Sequence, residues 1–97
     1  MVKETYKAKL IELIAKHLPN AKIYLYGSRA RNEETKYSDI DIAIDTGENA
    51  DKHKMALIRL SLDDLNIPFE VDVVDLHNVS EKMQKNIRNE GVSWKTN

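Results

Sequence analysis

The spacing of apolar residues changes along this chain, and each change marks an element. Between Lys3 and Leu18, Tyr6, Leu10, Ile11, Leu13 and Ile14 recur at helical spacing, and Pro19-Asn20 closes the run. Lys22–Tyr26 reads as a short strand, with Tyr24 and Tyr26 on one face, packed on a helix or stacked on a base. A second strand is expected over 39–45, where Ile40, Ile42 and Ile44 alternate with Asp39, Asp41, Ala43 and Asp45. Glu48–Leu65 reads as a long helix with Met55, Ile58, Leu62 and Leu65 inward, broken by Asn66-Ile67-Pro68. Phe69–Leu76 follows as a third strand, with Phe69, Val71, Val73 and Asp75 on one face and Glu70, Asp72 and Val74 on the other. Ser80 is placed to cap a last helix over 81–90 and Gly91 to end it. A polar tail remains, in which Trp94 either folds back on the core or anchors a partner.

This order predicts an α/β (α+β) domain: a small mixed β-sheet with helices packed on one face and the acids on the other. The 97 residues are expected to form a single domain, 1–97, and a domain of this size buries only about two-thirds of its unfolded surface. A net charge of -1, from 15 basic and 16 acidic residues, supplies no broad positive field, so direct nucleic-acid binding is not expected. There is no cysteine for disulfides or thiolate metal sites, and no apolar run reaches the ~20 residues that span a membrane. Met1-Val2-Lys3-Glu4 is expected to lead straight into the first helix, without a signal peptide. The expected location is cytoplasmic.

Candidate chemistry concentrates at two places. Asp39 and Asp41 project from one face of the second strand while the isoleucines project from the other. Two carboxylates about 5 Å apart repel by about 3 kcal/mol at an effective dielectric near 20, so the pair calls for a cation, and magnesium, which favours hard oxygen ligands, is the natural one. Upstream, Gly27-Ser28 permits a sharp turn with its N–H groups exposed to a phosphate, and Ser28-Arg29-Ala30-Arg31 reads as a first helical turn favouring an anion. Arg31 is the favoured phosphate contact. Arg29 stands either as a second one or as a surface charge. The plain alternatives are a solvated strand face for the acids and an ordinary turn for the glycine. His17, His53 and His77 have no ligand spacing and receive no role.

Gly-Ser-Arg-Ala-Arg-Asn at 27–32, then five residues, then Ser-Asp-Ile-Asp at 38–41 resembles the signature of the minimal nucleotidyltransferases of the polymerase-beta-like superfamily. One position departs: Asn32 stands where the family has glycine. Asparagine tolerates a left-handed backbone better than most residues, so the turn is expected to survive. The resemblance implies the polymerase-beta-like nucleotidyltransferase fold and a third carboxylate on a neighbouring strand. Asp72 matches that position, Asp75 is the reserve, and Asp45 lies about 13 Å along the strand from Asp41, too far for a shared metal.

The resemblance further implies catalytic and metal-binding Asp39, Asp41 and Asp72, a two-metal Mg2+ site, and ATP as substrate, held by Gly27, Ser28, Arg29 and Arg31. Larger members carry extra domains for base and acceptor, and this chain has no room for them. A hetero-oligomer is therefore expected. Stand-alone members of this kind pair as antitoxins with HEPN-domain toxins, whose tyrosine hydroxyl is the implied acceptor of the adenylyl group. The rival reading is a weak or inactive antitoxin that neutralises the HEPN partner by binding alone.

Overall fold

A computed structural model describes residues 2–96. Its sheet has the strand order β3-β2-β1-β4, from β1 (Lys22–Tyr26), β2 (Ile40–Asp45), β3 (Val71–Asp75) and β4 (Val92–Lys95). β1 runs antiparallel to β2 and to β4, whereas β2 and β3 are parallel. Parallel neighbours need a crossover, and α2 (Lys52–Ser61) provides it. The mixed sheet agrees with the sequence reading.

α1 (Glu4–His17) and α2 cover one face, where Leu10, Ile14, Met55 and Ile58 meet Ile23, Leu25, Ile42, Ile44 and Val73. α3 (Glu81–Glu90) does not join them. Its Ile87 packs on the opposite face with Tyr26, Ala43 and Leu76, with Tyr24 and Val74 beside them. The expectation that helices occupy one face thus holds for α1 and α2, while α3 shares the face that bears Asp41 and Asp72. The reason is local: Ala43, Tyr24 and Val74 continue that face beyond the acids as an apolar floor, which a helix must cover.

The long helix expected from Glu48 is shorter. Asp51 caps it, its side chain accepting the Lys54 N–H at 3.0 Å, and it tightens into a 3-10 turn over Leu62–Leu65 before Asn66 at φ 55 turns the chain away. Ser80 caps α3 as expected, accepting from the Met83 N–H at 3.2 Å. Gly91 ends it in an unexpected way. Its φ is -65, and a side chain there would strike the carbonyl oxygen of Ile87, so close approach and not a left-handed turn requires glycine.

The expected polar tail is β4, and Trp94 folds back against the main core with the Lys7 ammonium 5.8 Å from its ring centroid. Asp75, the reserve acid, is buried on the helix-covered side. Its carboxylate accepts the Ala50 N–H at 2.8 Å and the His77 N–H at 3.1 Å, which gives it a structural task. At the β3 border, Arg59 of α2 donates from Nε and a terminal nitrogen to the Val73 carbonyl, at 3.2 and 2.9 Å. Among the described residues no helix is long and apolar enough to cross a membrane.

Candidate active site

The turn after β1 is built on Gly27, whose φ is 75. A Cβ there would collide with a carboxylate oxygen of Asp41, so the backbone and the acid occupy adjoining space only because the side chain is absent. The Ala30 and Arg31 N–H groups both donate to the Gly27 carbonyl, at 3.1 and 3.2 Å, and the Glu33 N–H donates to Ser28 at 2.9 Å. These bonds make a compact turn over 28–32 in place of the expected start of a helix. Asn32 has φ 57, the left-handed conformation anticipated for it.

The strand register sets the acids beside this turn. Tyr26 pairs with Asp41, and Asp41 pairs with Asp72, so three side chains stand in a row across β1, β2 and β3. Asp39 precedes β2 and is exposed. Burial raises the Asp41 carboxyl above the usual carboxylate range, the charges of Asp72 and then Asp39 raise it further, and Arg31 opposes them. Burial also pushes the Tyr26 phenol up to about 12, with Asp41 and Asp72 adding to the shift. The row is therefore a focus of negative potential. Among the described residues no three of His, Cys, Asp and Glu are gathered closely enough to enclose a metal ion. The mutual repulsion of Asp39, Asp41 and Asp72 and their all-oxygen chemistry nevertheless suit a hard divalent cation.

The two arginines have different fates. Arg29 is only 6% exposed; its Nε and a terminal nitrogen donate to the Ser38 carbonyl at 3.2 and 2.9 Å, and its guanidinium lies 4.4 Å from the Phe69 ring centroid. Its burial corrects the reading of Arg29 as a surface charge. It fastens the residue before Asp39 to the turn, because a planar fork can bond a carbonyl and stack on a ring at once. Arg31 remains outside, bound to both carboxylate oxygens of Glu90 at 3.1 and 3.0 Å and to Glu33 at 3.3 Å.

Glu90 also accepts the Gly27 N–H, at 3.3 Å. Nothing in the motif points to this residue. A signal existed in its position: an acid in the last turn of a helix opposes the helix dipole and is out of place without a cationic partner. Away from the acids, the His77 ring and Asp45 meet at 2.6 Å and tie the segment after β3 to the end of β2. A cavity of ≈ 620 Å3 opens beside Asp39 and Asp72, walled by Phe69, Arg59, Lys36 and Tyr37, the last 80% exposed.

The family described as "Polymerase beta, Nucleotidyltransferase" matches residues 8–95. A Methanocaldococcus jannaschii relative named for protein adenylyltransferase activity is 33% identical over 87 residues, covering 89% of this chain and 90% of its own. A Haemophilus influenzae relative, named a probable protein adenylyltransferase MntA, is 30% identical over 71 residues, or 73% of this chain and 62% of that one. A crystal structure described as a toxin-antitoxin with AMP-PNP superposes with a TM-score of 0.75 at 26% identity, covering 94% of this chain and 73% of that one.

Proposed function

Because the chain belongs to the polymerase beta nucleotidyltransferase family, we propose that it transfers an adenylyl group from ATP to a hydroxyl of a partner protein and releases pyrophosphate. One observation carries this reading: the side-chain-free turn at Gly27 abuts Asp41, which stands in register with Asp72. A phosphate cradle and a pair of acids thus adjoin, as transfer at an α-phosphate requires.

In that transfer the acceptor oxygen bonds to the α-phosphorus, the bond from phosphorus to the pyrophosphate oxygen breaks, and the hydroxyl proton goes to a carboxylate. Asp72 takes the proton, since it lies on the strand next to the cavity through which an acceptor reaches the acids. The backbone at Gly27 and Ser28 faces the phosphates, and Arg31 offsets charge on the leaving pyrophosphate. Arg29 is a positioning residue that holds Ser38, and through it Asp39. Asp39, Asp41 and Asp72 are the residues that would hold magnesium, which when bound neutralises phosphate charge.

The partner proposed is a HEPN-domain toxin and the acceptor one of its tyrosines. The toxin-antitoxin complex with AMP-PNP and the motif resemblance support this. The test is incubation with labelled ATP, magnesium and the partner. Label should survive denaturation of the partner, and Asp39→Asn with Asp41→Asn should abolish it; label that persists in the double variant would refute the assignment. The second reading, neutralisation by docking alone, is favoured by the Glu90 carboxylate on the Gly27 amide. It predicts no label in any variant.

A further inference from the structure

Glu90 makes three contacts with the cradle. Its Oε1 accepts the Gly27 N–H at 3.3 Å, and its two oxygens accept from Arg31 at 3.1 and 3.0 Å. These are the backbone donor and the guanidinium to which the proposed function assigns phosphate. A carboxylate presents two anionic oxygens on a planar group, and a guanidinium takes it as it takes a phosphate edge. Glu90 closes α3 and directly precedes Gly91, whose N–H donates to the Ile87 carbonyl at 2.7 Å where the chain bends into β4. The carboxylate is thus delivered from a firmly placed helix end, on a side chain long enough to swing away.

We propose that Glu90 is an internal competitor for the nucleotide: its carboxylate occupies the triphosphate's place on Gly27 and Arg31, and ATP must displace it. The inference rests on the proposed function and adds a regulation of the same site. An exposed, charge-assisted pair favours the closed arrangement by at most about fivefold, so the apparent affinity for triphosphate is reduced by about the same factor. A competitor and a mere support for Arg31 predict opposite signs. Loss of a competitor tightens binding, whereas loss of a support loosens it.

The experiment is a calorimetric titration of the full chain with AMP-PNP and magnesium, repeated with inorganic tripolyphosphate. Glu90→Ala and Glu90→Gln should lower the Kd of both ligands by up to about fivefold. Glu90→Asp keeps the charge but withdraws it by one methylene, and should also tighten binding. Glu33→Gln, which removes a charge beside Arg31 without contact to Gly27, should change the Kd less than about twofold, as expected for an exposed charge. Unchanged or weaker binding in both Glu90→Ala and Glu90→Gln overturns the inference while leaving the nucleotide site standing. Equal tightening by Glu33→Gln also overturns it, since general charge would then be the cause. Absence of binding in the parent and every variant overturns the site and the inference together.

Discussion

Replacing Asp41 by Asn should stabilise the metal-free protein. Asp41 stands opposite Asp72 in the parallel ladder and within the field of Asp39. A like-charge pair directly across a sheet costs about 0.5–1 kcal/mol; with the more distant Asp39 added, and with water screening a half-exposed group, the penalty removed is about 1 kcal/mol. For a domain of this size that is a rise in Tm of about 4–8 °C. The pH dependence follows from the raised carboxyl. A folded-state value above the ordinary one means the penalty is full above the folded pKa and disappears as the pH falls through it to the usual range near 3.9. Thermal melts in chelator at pH 7 and at pH 3.5 measure both parts. A variant no more stable than the parent at pH 7, or an advantage that persists unchanged at pH 3.5, would refute the electrostatic account. Magnesium with nucleotide should raise the Tm of the parent and raise that of the variant less.

Gly27→Ala places a Cβ against Asp41 at φ 75; it should cost about 1–2 kcal/mol from the left-handed backbone alone and abolish label transfer, as melts and the transfer assay will read. Arg29→Met removes two hydrogen bonds and a ring contact, for a loss of about 2 kcal/mol in denaturant titration, and should slow transfer by releasing Ser38. At Asp45, burial pushes the carboxyl up, but the Gly47 N–H and the His77 ring outweigh it and hold it below its ordinary value. Its contribution to stability is present above the unfolded pKa near 3.9 and lost as pH falls through the folded one. Asp45→Asn should therefore lower the Tm at pH 6, and the difference should shrink below about pH 4.

Strand and helix periodicity made much of this molecule legible. Alternation over Ile40–Asp45 and Val71–Asp75 correctly separated Asp41 and Asp72 from the buried set, because a sheet with one apolar face enforces that parity. The left-handed Asn32 followed from its own chemistry. β4 escaped notice because Val92-Ser93-Trp94-Lys95 is too short to show a period and becomes a strand only by pairing with β1. The position of α3 is hidden for a related reason: two tyrosines and an alanine are weak markers of a buried face, and in the sequence the acids are the stronger mark on that side. Arg29 and Glu90 were hidden by distance in the chain. Arg29 sits in the motif but reaches Phe69, and Glu90 lies 63 positions from the Gly27 amide it bonds.

The Arg59 guanidinium on the Val73 carbonyl has a bearing on solubility. A sheet border with free main-chain groups is a template onto which another copy can zip, and a charged side chain laid across it prevents that growth. The guarded border is the wall of the cavity that opens toward Asp72. A segment that comes to that wall meets side chains and not an open ladder, so any contact it makes there stays reversible.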